Sequence, residues 1–150
     1  SPYREKQAAA LIAKALDLPR EVVTADFGDS LRAGTTALQA ASDAVKAGSA
    51  DNVLVIAADC RLAAPRSPLE RNLGDAAAAL LVGREDVAAT VDARFTLAEE
   101  MIDQWRTEHD SYLKTWEDRF VVEQGYLRIM ADAVGGLLGK AGVEPKSVSK

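Results

Sequence analysis

The chain has 150 residues, 48% of them hydrophobic and 27% charged, with a formal net charge of −5 and a pI near 4.9. That describes an ordinary globular sequence, long enough to bury a core, and its acidity argues against a nucleic-acid surface, which needs a clustered basic footprint. The longest apolar run, around Ala76 to Val82, is far short of a membrane span. Cys60 is the only cysteine and His109 the only histidine, so neither an internal disulfide nor a zinc constellation can be assembled. With no charged-then-apolar leader at the start, the expected compartment is the cytoplasm.

In chain order, residues 1–18 read as a helix. Pro2 suits its first turn, Ala8, Leu11, Ile12, Ala15 and Leu16 make one apolar stripe, and Pro19 ends it. The β-branched run Val22 to Phe27 predicts a strand, closed by a sharp turn at Gly28-Asp29-Ser30. From Leu31 to Ala47 small residues dominate, predicting a buried helix that stops at Gly48. Val53 to Ala58 is uninterruptedly apolar and reads as a strand covered on both faces, beside the 22–27 strand in one sheet.

Residues 60–72 carry Pro65, Pro68 and four charges and read as an irregular surface loop. Ala76 to Val82 predicts a second buried strand. Val87 to Phe95 alternates apolar and polar residues, the pattern of a more exposed strand, and Gly83 to Asp86 fits a hairpin turn between the two. Residues 98–117 read as broken helix and loop. A long helix follows from about Phe120 to Ala141, weakened by Gly125, Gly135, Gly136 and Gly139, with Gly142 as its C′ residue.

Strand, elbow, small-residue helix and strand make a unit that builds parallel sheets with the site at the elbow. Three motifs give it a relative. Ser30-Leu-Arg-Ala-Gly-Thr35 looks like the Ala-Cys-Lys-Ala-Gly-Thr elbow of archaeal-type hydroxymethylglutaryl-CoA synthases. Leu73-Gly-Asp-Ala-Ala-Ala-Ala-Leu-Leu-Val-Gly83 is similar to the FGDGAGAVVLG strand of β-ketoacyl synthase III. Trp105-Arg106, Trp116-Glu-Asp-Arg-Phe120 and Gly125-Tyr126 resemble the WR…DRF…GY block of hydroxymethylglutaryl-CoA synthases. The sequence thus resembles the thiolase superfamily, in its hydroxymethylglutaryl-CoA synthase-like and β-ketoacyl synthase III-like branch.

The resemblance implies an α/β, thiolase-like layered fold with a mixed sheet and a buried helix after the nucleophile elbow. It implies residues 1–97 as a truncated N-terminal half and 98–150 as a connector with the first helix of the second half, an internal fragment of a longer protein. In the family the elbow cysteine is acylated by an acyl-CoA; here that position falls on Leu31, which cannot form a thioester. Ser30 or Asp29 reads as the helix N-cap, and Ser30 is read as part of that cap rather than as a nucleophile. Cys60 reads as a small buried hydrophobe and His109 as solvated surface. Arg32, Arg66 and Arg71, with Arg61, are the basic residues that could meet the phosphates of CoA. Asp118 and Arg119 could form a structural pair in the connector.

The implied function is handling of acyl-CoA, forming or cleaving a carbon–carbon bond beside a thioester carbonyl, with acid–base rather than covalent chemistry because of Leu31. The alternative is a non-catalytic thiolase-fold scaffold for a partner of OB-fold and zinc-ribbon type. CoA thioester is the expected ligand, with no covalent cofactor and no metal. A homodimer is the expected assembly. The family's histidine and asparagine would lie beyond Lys150.

Overall fold

The computed structural model describes residues 5–148. They fall into two compact units: one of residues up to Ala58 with Ala77–Asp86, the other of Asp59–Ala76 with residues from Val87 onward.

The first unit opens with α1, Ala8–Ala15, which begins with the apolar stripe but is shorter than the helix expected over residues 1–18; Pro2 lies outside the described residues. Its start is set from a distance. The Asp26 carboxylate accepts hydrogen bonds from the backbone N–H groups of Ala8 (2.6 Å) and Ala9 (2.8 Å), satisfying two donors that no helix can satisfy itself. Ala8, Ala9, Ile12 and Ala13 are the partly covered positions, whereas Leu11 and Leu16 of the expected stripe are exposed.

The expected strand at 22–27 does not form. A strand exists only through its ladder, and this segment is held to α1 by side chains instead: Thr24 Oγ1 donates to Gln7 Oε1 at 2.7 Å, and Asp26 caps the helix. Its place in one sheet with the later strands therefore falls too. The helix α2 spans Ala33–Ala47, beginning two residues after Leu31, and ends at Gly48 in the left-handed conformation at φ 76°. It is not buried all round. Ala41 and Val45 alone are buried in it, and with Val55 they make the core of this unit.

Strands β1 (Val53–Asp59) and β2 (Ala76–Val82) form where the apolar runs indicated and pair in a two-stranded sheet. Within this unit Val55 is buried, whereas Leu54 is 40% exposed, Ile56 38% and Leu80 53%, since one helix lies against the two strands. The fit of α2 to β1 is close: a Cβ added at Gly34 would sit 3.5 Å from Ala57 Cβ, in ordinary contact. Arg84, just past β2, donates to the carbonyls of Val45 and Lys46 and so closes the C-terminus of α2.

In the second unit, the 60–72 loop holds a short 3₁₀ turn at Pro68–Arg71. Residues 87–95 form no strand, so the expected hairpin with β2 is absent and the alternating pattern there serves an irregular segment. A different hairpin occurs where broken helix and loop were expected. Strands β3 (Gln104–Trp105) and β4 (Lys114–Thr115) pair antiparallel, Gln104 opposite Thr115 and Trp105 opposite Lys114, with the two Trp rings 6.1 Å apart.

The long helix is continuous in its extent but not in its winding. It runs as α3 (Asp118–Phe120), a π-helical stretch (Val121–Tyr126) and α4 (Leu127–Ala141). Glu117 caps its start, accepting from the N–H groups of Arg119 (3.1 Å) and Phe120 (2.7 Å). Gly142 ends it at φ 64°, the left-handed C-terminal residue that the sequence indicated.

Candidate functional site

The elbow keeps its turn. Asp29 sits at φ 57°, a left-handed conformation uncommon for a residue with a side chain, and Ser30 Oγ accepts a hydrogen bond from the backbone N–H of Arg32 at 3.1 Å. Ala33 N–H reaches back to the carbonyl of Ser30, and Thr35 Oγ1 donates to the carbonyl of Arg32. The expected helix cap at Ser30 or Asp29 does not form: the N-cap position falls to Arg32, and the Ser30 hydroxyl closes only the turn before it. Leu31 is 66% exposed and sits in the turn preceding α2. It offers a hydrocarbon side chain where a thiolate would be favoured by the helix N-terminus.

Cys60 departs from its expectation: it is exposed, not buried. Its hydrogen bond with the Asp75 side chain, reinforced by the Asp75 negative charge, pushes the thiol pKa up. The thiolate is thereby disfavoured, which argues against Cys60 as a substitute nucleophile. Asp75 lies in the Gly-Asp-Ala run, immediately before β2.

Arg66 and Arg71 come together on the 60–72 loop. With Ser67, Pro68 and Glu70 they line a cavity of about 480 Å³. The Glu70 carboxylate accepts the Arg66 backbone N–H at 2.7 Å, and Arg66 itself is at φ 65°. Arg61 is committed elsewhere, with Nε 2.8 Å from Asp59 Oδ2 and a guanidinium N–H donating to Gln104 Oε1 at 3.2 Å. Arg32 belongs to the first unit.

His109 and its neighbours, and the residues around Arg119, play structural parts. His109 is exposed in the β3–β4 turn. Beside it Asp110 accepts from Thr107 N–H (2.9 Å) and Thr107 Oγ1 (2.7 Å) and pairs with Lys114 (2.8 Å), which hold its carboxyl well below the usual carboxylate range, Lys114 most of all. The expected Asp118–Arg119 pair is replaced by Arg119–Glu123 at 2.9 Å, one helical turn apart. A groove of about 460 Å³ is lined by apolar Met101, Ile102, Trp116 and Phe120 and by polar Glu100, Gln124 and Arg128. Among the described residues no group of three metal-ligating side chains converges, and no helix is long and apolar enough to cross a membrane.

No family model matches the chain. Hydroxymethylglutaryl-CoA synthases do. That of Methanosarcina acetivorans is 33% identical over 147 residues, which is 97% of this chain and 42% of the relative. Those of Pyrobaculum neutrophilum and Pyrococcus furiosus are each 32% identical, over 144 and 146 residues, at 96% of this chain and 41% of theirs. The chain therefore spans about two-fifths of the length of these curated relatives. Among solved structures, the crystal structure of hydroxymethylglutaryl-CoA synthase complexed with CoA superposes with a TM-score of 0.86 over 97% of this chain and 37% of its own, at 19% identity, a likeness of fold. Along nearly all its length, then, the chain is hydroxymethylglutaryl-CoA synthase-like, in a thiolase-like α/β fold.

Proposed function

We propose that the protein containing this chain handles acyl-CoA thioesters and makes or breaks a carbon–carbon bond beside the thioester carbonyl without a covalent acyl-enzyme at this elbow. The observation that carries the reading is Leu31, seated in the elbow turn just before α2 with no nucleophile on its side chain. Ser30 does not replace it: its Oγ is engaged as an acceptor for the Arg32 N–H, and the segment brings no histidine to take its proton. An elbow without a nucleophile suits chemistry in which an enolate is held by hydrogen-bond donors, without acylation.

CoA binding comes from the family and from the CoA complex of the structural relative. We assign Arg32, Arg66 and Arg71 to the CoA phosphates. Residues 1–97 would then belong to the nucleophile-bearing half, and 98–150 to the connector and the start of the second half. A homodimer, and a partner of OB-fold and zinc-ribbon type, complete the reading. A lone, unpaired cysteine suits the reducing cytoplasm.

Intact-mass measurement after incubation with acetyl-CoA and acetoacetyl-CoA tests it. The expected result is no acyl adduct on residues 28–36, with cleavage of a β-hydroxyacyl-CoA by the intact protein. An adduct on Ser30 would make it a serine-dependent acyltransferase. Absence of both adduct and turnover would favour the second reading, a thiolase-fold scaffold, which the same missing nucleophile supports.

A further inference from the structure

The π-helical stretch Val121–Tyr126 is fastened from outside by the segment 99–101. Gly125 is its buried residue, and Met101 lies on it so closely that an added Cβ would overlap Met101 Sδ and Cε. One turn further on, the Arg128 guanidinium donates to the Glu99 carboxylate at 2.9 Å and, through Nε, to the Gln124 carbonyl at 3.3 Å. A π-helical winding is rare and frequently marks a functional site. Here a thioether packed on a bare Cα accompanies it. Met101 is half-buried and also lines the open groove with Trp116, Phe120 and Gln124, so a small oxidant reaches it.

We infer that Met101 is a site of reversible oxidation by peroxides, and that its sulfoxide releases the π-helical stretch. The thioether sulfur attacks one oxygen of hydrogen peroxide; the S–O bond forms as the O–O bond breaks, and the other oxygen leaves as water after proton transfer. Sulfur loses the two electrons that the peroxide gains, so no further reductant or cofactor enters. The product is polar and calls for a hydrogen-bond donor where Met101 faces the Gly125 Cα, which offers none. Met101 then leaves Gly125 for the groove and solvent. The Glu99–Arg128 pair carries no sulfur and keeps its place. Met130, the other methionine, is 42% exposed on α4, so the same oxygen there joins a side chain already in water. Sulfoxide reductases reverse the modification.

Treatment of the full chain with hydrogen peroxide, followed by peptide mass mapping and hydrogen–deuterium exchange, tests this. In Met130→Leu the peptide holding Met101 should gain one oxygen. Exchange across residues 121–128 should then rise about tenfold, the scale of one buried polar group left without a partner, while α2 exchanges as before. Methionine sulfoxide reductases should remove the oxygen and restore slow exchange. Met101→Leu keeps an apolar side chain on Gly125 without the sulfur, so peroxide should leave its exchange unchanged. If circular dichroism shows that variant unfolded, the reductase reversal decides alone. Met101 left unmodified at a dose that converts Met130 in the wild type would overturn the proposal. So would oxidation of Met101 with no change across 121–128, or with an equal rise in α2.

Discussion

The Phe95 ring lies over Gly136 of α4 so closely that a Cβ added there would overlap it, with Phe95 Cδ1 only 2.8 Å away. A helix interior normally loses about 1 kcal/mol to a glycine relative to alanine, so this glycine is kept by a contact and not by backbone preference. Gly135 and Gly139, on the same helix, have nothing within 4 Å of an added Cβ.

The first prediction follows from that difference. Gly136→Ala should lower stability by about 1–2 kcal/mol, since the ring must move out of its place on the helix. Gly139→Ala should raise it by roughly 0.5–1 kcal/mol. Thermal melts of the two variants should move in opposite directions.

Asp26 should govern the start of α1. Replacing a capping carboxylate by alanine removes about 1 kcal/mol of helix stability, so Asp26→Ala should fray Ala8 and Ala9, read as faster amide exchange there. The two backbone hydrogen bonds lower the Asp26 pKa below its ordinary 3.8. A carboxylate lowered on folding contributes stability that is complete above its unfolded pKa and lost as pH falls through the folded one. The α1 protection factors of the wild type, with the intrinsic pH dependence of exchange divided out, should therefore stay flat from neutral pH to about 4 and fall below it, a fall that Asp26→Asn should not show.

The hairpin that stacks Trp105 near Trp116 should depend on Asp110. Lys114 and Thr107 hold its carboxyl far down, so the ionised form survives well under pH 3.8. The sign is the same as for Asp26: stability is present above the unfolded pKa and lost as the group protonates. Tryptophan fluorescence should keep its native spectrum to lower pH in the wild type, whereas Asp110→Asn should shift it already at neutral pH.

Thiol reactivity should separate the elbow from Cys60. In Leu31→Cys the new thiol sits in the turn preceding the N-terminus of α2, where a thiolate is favoured, while Asp75 holds the Cys60 pKa up. Iodoacetamide at pH 7 should label residue 31 first, by peptide mass mapping. Asp75→Asn should speed labelling of Cys60. Faster labelling of Cys60 than of Cys at 31 would show that the elbow lacks the geometry that favours a thiolate.

Local chemistry made much of this legible from residues alone. The runs Val53–Asp59 and Ala76–Val82, the helix stops at Gly48 and Gly142, and the Ser30 turn are each written in a few adjacent residues, through periodicity, left-handed glycine and short-range capping. The motifs at residues 30–35, 73–83 and 105–126 likewise carried the family, because they too are contiguous. Pairing is a different matter. Val22 to Phe27 has the composition of a strand, yet a strand needs a neighbour, and Asp26 spends its side chain on α1 instead. Val87 to Phe95 alternates apolar and polar residues from Ala89 onward and still forms no ladder. The winding of Val121–Tyr126 into a π-helix, the exposure of Cys60 beside Asp75, and the meeting of Arg66, Ser67 and Arg71 around one cavity depend on groups brought together by the chain's path. The sequence by itself determined the two apolar strands, the glycine helix stops and the likeness to hydroxymethylglutaryl-CoA synthases, since each is written in contiguous residues; which segments pair into strands and which charges share a cavity were decided only in three dimensions, where the partner's position sets the energy.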